Sequence, residues 1–505
     1  MKKNKKLLIG QTIAVVALIA VLVVVLIIPS ANNEIKVEDN NAILIYDKNE
    51  LSPEEITIRN EGGYYQLLGF DYEQPEVSTE SSAQSSVQMA ASDEEGEKDN
   101  KITVYTMQDY SDETLSVDMT NKLLVQCRYM AASKLIDKSG SRYAEYGLAE
   151  PRAEAKIVFS DDSSVHLRLG NDAPDNMGVY MLCNDDKNVY LVPTNMVDMF
   201  FVDKLQMFDK QLTGAIGERV VSSIDIKGTG YEQDISIGLN TNHTTAGSYV
   251  MEKPYRAGCD DVKVQTTGNS VFGLNADEVV AVGVEKSGLS EYGLDKPYEE
   301  FKAELSDGSV ITVIAGKKDS DGYCYLTVPS KTIVYRTKTE SLTWYEAGKN
   351  DFLSDGVLVP DQNTVDKLVV SEDGKDYTFS FEREYKVSEN YTDNIITSVK
   401  YNGIPLNIQY AINYINNLSS IMRQDDAPAS LDGCTVLFSV KYSYIGDTGI
   451  EDQLQIYQTP DKKAVAVLNG KIECYTDMEY IHDLLKMAHV LSLNLEVPDL
   501  NTAEE

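Results

Sequence analysis

The chain has 505 residues, 42% of them hydrophobic and 25% charged, which is typical of a folded protein with about two to four domains. Its formal net charge of −35 repels nucleic-acid phosphates and anionic lipid headgroups, so a nucleic-acid-binding function is excluded. The same charge favours cations, basic proteins or basic wall components as partners, or serves only to keep the domains soluble.

An apolar segment lies close to the start of the chain. The 22 residues 7–28 are apolar apart from Gly10, Gln11 and Thr12. As a helix they would rise about 33 Å, enough to cross a bilayer core. This length predicts one uncleaved transmembrane helix. A cleaved signal peptide is the alternative, although its apolar region usually has only about 7–15 residues.

The charges beside this segment predict its orientation. The residues before it include four lysines, at positions 2, 3, 5 and 6. Positive residues tend to stay on the cytoplasmic side. We therefore expect residues 1–6 to form a cytoplasmic tail and the domains after residue 28 to be extracytoplasmic, so that the chain is a single-pass protein of the cell membrane.

An internal repeat organises the rest of the chain. Residues 145–170 and 291–316 align without a gap, with an offset of 146 residues and identity at 11 of 26 positions. Chance would give about one or two identities. An offset this long indicates a duplicated domain and not a stacked solenoid. The most telling shared residues are Tyr146, Gly147, Leu148, Pro151 and Gly170 in the first copy and Tyr292, Gly293, Leu294, Pro297 and Gly316 in the second.

The order of signals within the repeat predicts its local structure. Tyr-Gly-Leu-x-x-Pro indicates a turn, because glycine adopts backbone angles that other residues avoid and proline stops a helix. Two alternating strands joined by Ser-Asp-x-Ser follow, and then two more strands and a short helical segment, near 195–205 and 340–346. A strand pair with a glycine turn begins each unit. We expect the motif residues to have a structural role.

The predicted fold is α+β, with tandem units of antiparallel β-meander and flanking helices preceded by one transmembrane helix. The units are predicted at residues 50–210, 218–348 and 363–492. The third unit is degenerate, because it lacks Tyr-Gly-Leu-x-x-Pro. It is expected to contain an amphipathic helix over 405–418 and to close with a helix over 478–491. Residues 72–100, rich in Ser, Gln and Glu, predict a disordered insertion in a hairpin loop. Residues 493–505 are predicted to be a tail that is frayed over its last five residues.

The sequence offers little catalytic chemistry. It contains no G-x-S-x-G, P-loop, H-E-x-x-H or G-x-G-x-x-G motif. His482 and His489 would lie about two helical turns apart, too far to share one metal ion, and His166 is predicted to face solvent. We therefore assign no catalytic, cofactor-binding or metal-binding residue, expect no cofactor, and predict that the protein is not an enzyme.

Acidic loops and cysteines are further candidates for binding sites or cross-links. The loops at 171–176 and 319–322 lack the ligand spacing of a calcium-binding loop and are predicted to be polar turns. The six cysteines are widely spaced without a C-x-x-C pair. A disulfide framework is compatible with an extracytoplasmic location, and Cys434 with Cys474 is the first pair to test.

With these motifs the chain resembles the bacterial DUF4340 family. The resemblance rests on the two Tyr-Gly-Leu-x-x-Pro motifs with Gly170 and Gly316, on the late strand at 189–192 and on the predicted anchor. It covers roughly residues 50–345 and the third unit only loosely. The resemblance implies an exported, membrane-tethered partner of an ABC-2-type transporter and its gliding-motility-like auxiliary subunits, with no catalytic residues to carry over.

Three functions remain open from the sequence. The first is a non-enzymatic extracytoplasmic accessory or binding protein, with an ABC transporter permease or auxiliary subunit as its expected partner. The second is a surface protein that binds cell-wall polymer or cations. The third is a hydrolase whose site is assembled between units.

Overall fold

The computed structural model describes residues 42–73, 101–387, 392–424, 427–446 and 449–501. The predicted transmembrane helix at 7–28 lies outside these residues, as does the predicted insertion at 72–100 apart from Tyr72 and Glu73. Among the helices that are described, none is both long and apolar enough to span a membrane. The chain divides into two compact units, one ending at Phe208 and the other beginning at Asp209.

The N-terminal unit contains one repeat, built on an eight-stranded sheet with a separate two-stranded sheet. Its strands are β1 Ile43–Asp47, β2 Pro53–Asn60, β3 Gly63–Glu73, β4 Lys101–Met107, β5 Tyr129–Ala132, β6 Lys134–Asp137, β7 Ala153–Phe159, β8 Ser164–Asp172, β9 Val179–Cys183 and β10 Val189–Val192. The large sheet has the order β4-β3-β2-β7-β8-β9-β10-β6, and β1 pairs with β5. Helix α1, Val117–Arg128, follows β4 in sequence.

The C-terminal unit contains two repeats, the first with nine strands and one helix. They are β11 Val221–Lys227, β12 Ile235–Leu239, β13 Tyr249–Lys253, β14 Ala257–Gly258, α2 Asp261–Asn269, β15 Glu278–Ala281, β16 Glu299–Leu305, β17 Val310–Ala315, β18 Tyr323–Thr327 and β19 Val334–Lys338. The sheet order is β14-β13-β12-β11-β16-β17-β18-β19-β15.

The other repeat of this unit is the third along the chain and has eight strands. Its elements are β20 Val365–Glu372, β21 Lys375–Val387, β22 Thr392–Tyr401, β23 Ile404–Leu406, α3 Ile408–Ser419, β24 Thr435–Tyr444, β25 Glu451–Gln458, β26 Ala464–Leu468, β27 Lys471–Thr476, α4 Met478–Leu484 and α5 Met487–Ser492. The sheet order is β23-β22-β21-β20-β24-β25-β26-β27.

All three repeats share one topology. In each, a hairpin leads to a third strand and a helix, and the chain then returns as a four-stranded antiparallel meander whose first strand pairs with the first strand of the hairpin. The third repeat keeps this order without the Tyr-Gly-Leu-x-x-Pro motif. The predicted architecture of repeated, mostly antiparallel sheets with a few helices is therefore confirmed.

Alternation along the strands creates the core. In β7 the residues at odd positions, from Ala153 to Phe159, are buried, and the residues between them are more exposed. β16 repeats the pattern from Glu299 to Leu305. This period of two turns one face of each strand inward and leaves the other to solvent.

Helices α1 and α2 were not predicted, although capping residues mark their starts. Ser116 accepts a hydrogen bond from the Met119 backbone N–H, and Asp260 accepts one from that of Lys263. In α3, which was predicted, Asn407 accepts from the N–H of Gln409. A capping side chain satisfies an N–H that the first helical turn leaves without a partner. A search for such residues after each third strand would have located all three helices.

The closing helices agree with the prediction in the first two repeats and differ from it in the third. The short helical segments predicted near 195–205 and 340–346 are 3₁₀ helices. The helix predicted over 478–491 is broken at Lys486, whose φ of 68° is left-handed and whose N–H donates to the Glu372 carboxylate at 2.7 Å. That contact turns the chain between α4 and α5.

The C-terminal segment is packed as far as the structure describes it. Residues 493–505 were predicted as a tail outside the third unit, yet Val497 is fully buried. The Asn417 side chain of α3 donates to the Pro498 carbonyl at 2.9 Å and accepts from the Leu500 N–H at 2.9 Å. This segment therefore belongs to the third repeat.

Candidate functional site

The two Tyr-Gly-Leu-x-x-Pro motifs form the same turn. Gly147 and Gly293 have φ of 69° and 68°. The Leu148 N–H donates to the Tyr143 carbonyl at 2.8 Å, and the Leu294 N–H donates to the Leu289 carbonyl at 3.0 Å. Together with a second bond from each glycine N–H, to Ala144 and Ser290, these bonds make a Schellman motif, which ends a helical turn at a left-handed glycine.

The remaining motif residues fix this turn onto the meander. Leu148 and Leu294 are buried. The ring of Tyr146 lies 4.8 Å from that of Tyr180 on β9, and Tyr292 lies 5.3 Å from Tyr325 on β18. Each proline stands shortly before the strand that begins its meander. These placements describe a structural motif.

The two motif glycines in the meander allow a close approach. A Cβ on Gly170 would collide with the Tyr146 carbonyl, and one on Gly316 would lie 3.1 Å from the Tyr292 carbonyl. Even an alanine would therefore push the turn away from the strand.

The histidines and acidic loops are not brought together into a site. His166, His482 and His489 are exposed. Asp319 accepts bonds from the N–H groups of Asp321 and Tyr323, both at 2.9 Å, and pairs with Arg336 at 3.1 Å. The Tyr323 N–H and Arg336 hold the pKa of Asp319 below its usual value. Among the described residues no group of three or more His, Cys, Asp and Glu could hold a metal ion.

Cys434 and Cys474 do not form a disulfide, and all six cysteines are free thiols. Cys434 directly precedes β24, whereas Cys474 lies on β27, three strands away in the sheet. Three spacings of about 4.8 Å amount to roughly 14 Å, beyond the Cα separation of about 7 Å that a disulfide tolerates.

The C-terminal unit contains a buried ion pair between its two repeats. Arg256, between β13 and β14, donates to both carboxylate oxygens of Asp452 on β25 at 2.7 and 2.8 Å. The Asp452 side chain is only 2% exposed and also accepts from the Tyr444 hydroxyl and the Asn469 amide. Burial and this carboxylate raise the pKa of Tyr444. The charge is therefore fully hydrogen-bonded, as a buried carboxylate requires.

A second buried carboxylate lies nearby on β27. The Glu473 side chain is fully buried and accepts from the Arg423 guanidinium, the Tyr255 hydroxyl and, at 3.3 Å, the Lys349 ammonium. Arg423 also donates to the Ser354 carbonyl at 2.9 Å. Burial and the Glu473 charge raise the pKa of Tyr255. Since Tyr255 comes from the second repeat and Glu473 from the third, this cluster also joins the two.

A polar cleft of about 170 Å³ adjoins this cluster. Its lining consists of Lys263, Asn350, Leu353, Asp355, Arg423, Gln424, Glu473 and Cys474. Lys263 pairs with Asp355 at 2.7 Å, so each charged residue of the lining already has a counter-charge. Burial raises the pKa of Cys474 to about 11, which leaves its thiol protonated and weakly nucleophilic at neutral pH. The arrangement is suited to joining the repeats and not to activating a bond.

Glu299 is a third buried carboxylate, at the start of β16. One of its oxygens accepts from the Glu346 N–H at 2.8 Å. The buried hydroxyl of Tyr231 lies beside this carboxylate, and burial and the Glu299 charge raise the pKa of Tyr231. Burial raises the pKa of Glu299 to about 7, so this carboxyl changes its charge near neutral pH.

These buried charges were not predicted from the sequence, although the alternation of buried and exposed strand residues contains the signal for two of them. Asp452 precedes the buried Leu454 and Ile456 by an even number of positions, and Glu299 precedes Phe301 in the same way. Continuing the alternation one step toward the N-terminus would have placed both carboxylates on the core face. Neither Arg256 nor Arg423 has a comparable local signal, because both lie outside the regular strands.

The fold and this cluster define a tandem-repeat protein of antiparallel sheets in which buried charges join neighbouring repeats. A family model, described as a domain of unknown function (DUF4340), matches residues 107–297 and 250–427. The chain belongs to this family, which confirms the resemblance seen in its sequence. No curated protein and no solved structure matches the chain.

The limits of the two family matches do not coincide with the limits of the structural repeats, because each match begins within one repeat and ends within the next. The first match begins at the end of β4 and ends at Pro297 in the second Tyr-Gly-Leu-x-x-Pro motif. The second begins within β13 and ends shortly after α3, so it reaches the hairpin and helix of the third repeat. A single match thus combines the helix and meander of one repeat with the hairpin and helix of the next.

Proposed function

We propose that this chain is a non-enzymatic accessory or binding protein, anchored in the cell membrane by residues 7–28, which displays its repeats on the extracytoplasmic side to a membrane transport complex. The expected partner is a permease or auxiliary subunit of an ABC-2-type transporter. The support for this partner is the family resemblance together with the predicted anchor.

The observation that favours a binding role over catalysis is the mutual pairing of charges, both at the cleft and in the ion pair of Arg256 with Asp452. Glu473 is engaged by three donors and Asp452 by a bidentate arginine, and the neighbouring thiol of Cys474 is held protonated. Charged groups that pair with one another in this way make the C-terminal unit more rigid. A rigid surface loses little conformational entropy when it binds a partner, so it is suited to recognition.

The alternative of a cation-binding surface protein draws less support from the loops. The Asp319 carboxylate is already occupied by its own backbone and Arg336, and Asp172 pairs with Arg152 at 2.9 Å. A cation would have to displace these partners before it gained the roughly six oxygen ligands that calcium needs.

Affinity purification tests the proposal. The full-length protein is crosslinked in native membranes, purified in detergent and analysed by mass spectrometry. We expect recovery of a permease or an auxiliary subunit of a transporter. Recovery of wall material in its place would favour the surface-binding alternative, and release of a hydrolysis product from a panel of wall polymers would favour the hydrolase.

A further inference from the structure

The three repeats differ in whether another strand pairs with the outer edge of their third strand. In the second repeat β14 pairs with β13, and in the third repeat β23 pairs with β22. In the first repeat the third strand is β4, and no strand in the described part of the chain pairs with its outer edge. Within the described part of the first repeat, the strand position that the other repeats fill is therefore open.

The cause lies in the segment before the helix. In the second and third repeats this segment forms the covering strand directly before α2 and α3. In the first repeat the corresponding segment pairs elsewhere: Leu115 bridges to Phe208, and the Ser116 N–H donates to the Met207 carbonyl at 2.8 Å. The segment that would cover β4 is thus held away from it.

β4 also lacks the features that protect exposed strand edges. The covering strands β14 and β23 have only two and three residues, and β23 contains Pro405. β4 has seven residues, contains no proline and carries no charge after Lys101. Long edge strands without proline or central charges are templates for pairing with another chain.

The solvent-facing side of β3 and β4 carries several exposed apolar side chains. Tyr64, Phe70 and Tyr72 are 53%, 47% and 47% exposed on β3, and Val104 of β4 lies opposite Phe70. The matching face of β21 in the third repeat carries Thr378, Ser380 and Glu382. Apolar side chains beside an open edge provide the pockets that a bound strand would fill.

We infer that the outer edge of β4 is a docking site for an extended segment of a partner polypeptide, which adds to the first sheet as a further strand. Its apolar residues, at alternate positions, would lie against Phe70, Tyr72 and Val104. Asp71, Asp109 and Asp112 are exposed around this edge, so we expect lysine or arginine to flank the apolar residues. This inference rests on the proposed function, since it states where such a partner binds.

The test compares two lysine substitutions in the full-length protein, purified from native membranes. Val104→Lys places a charge on the open edge, and Ser380→Lys places the same charge on the polar outer face of the third repeat as a control. We expect Val104→Lys to lower recovery of the membrane partner by at least about tenfold, and Ser380→Lys to leave it unchanged. Recovery should also fall as salt concentration rises.

A photo-crosslinking amino acid at position 104 provides a second measurement that does not depend on the stability of the lysine variant. A crosslink to a different membrane protein is the expected result. A product of twice the chain mass would overturn the inference in favour of a second copy. Full recovery of the partner by Val104→Lys would overturn it while leaving the proposed function intact, and no partner even with the wild-type chain would overturn both.

Discussion

Gly147 and Gly293 occupy the same turn in two repeats but have different surroundings. Both have left-handed φ, which costs a β-branched residue about 1–3 kcal/mol. A Cβ on Gly147 would also collide with the Asn171 side chain, whereas a Cβ on Gly293 would meet nothing within 4 Å. Substitution by a larger residue therefore has a conformational cost at both positions but a steric cost only at Gly147.

We expect Gly147→Val to destabilise its unit by more than Gly293→Val, which should cost about 1–3 kcal/mol from conformation alone. Native-state hydrogen exchange of the meander amides in each unit measures the two effects separately. Equal losses would show that Asn171 moves aside without cost.

Glu299 couples the stability of the C-terminal unit to pH. Its pKa rises from 4.5 in the unfolded chain to about 7 in the fold. The folded state therefore holds a proton more tightly. The contribution of this proton binding to the free energy of unfolding is fully present below pH 4.5 and is lost as pH rises through about 7. The difference corresponds to about 3 kcal/mol.

We expect Glu299→Gln to remove this loss, so that the variant is more stable than the wild type at pH 8 and nearly equal to it at pH 4.5. Urea unfolding of the C-terminal unit across this pH range measures the difference. Glu300→Gln is the matched control, because Glu300 is on the opposite strand face and pairs with Lys227 at 3.1 Å. A parallel pH profile for wild type and Glu299→Gln would contradict the assignment.

At the scale of elements, the cluster at Glu473 joins β27 to the segment after α3, to the segment between β13 and β14, and to the segment after β19. Removing one partner of a buried ion pair leaves the others without a counter-charge, which typically costs about 3–5 kcal/mol. An exposed pair such as Lys263 with Asp355 contributes at most about 1 kcal/mol.

We expect Glu473→Gln to lower the free energy of unfolding of the C-terminal unit by about 3 kcal/mol. Asp355→Asn, the control in the same cleft, should have an effect below about 1 kcal/mol. Urea unfolding with a probe in each unit gives both values. A similar loss for the two variants would mean that the buried cluster has no special role.

Regular elements were more predictable than the contacts between them. The meander strands and their Ser-Asp-x-Ser turns follow from alternation and turn chemistry, which are local. The break at Lys486 depends on Glu372, more than 100 residues earlier. The pairing of Arg256 with Asp452 joins two repeats and has no local signature at Arg256. Long-range contacts of this kind decide the candidate site, and for this reason the site was not predicted.

At the scale of the whole molecule, the anchor is a prediction about residues 7–28. We expect the chain to remain with the membrane during alkaline carbonate extraction and to keep its N-terminus, because the apolar stretch is long enough to span. Deletion of residues 1–28 should release the protein into the soluble fraction. A mature N-terminus near residue 31 would instead indicate a cleaved signal peptide.

The charges shared by the second and third repeats also have a mechanical consequence. A chain pulled from its two ends carries the load through three similar sheets, yet two of them are joined by side chains that must separate together. We expect force spectroscopy to record two principal rupture events and not three. In the Glu473→Gln variant the later repeats should give way one after the other, so that a single carboxylate determines how many steps the molecule takes to extend.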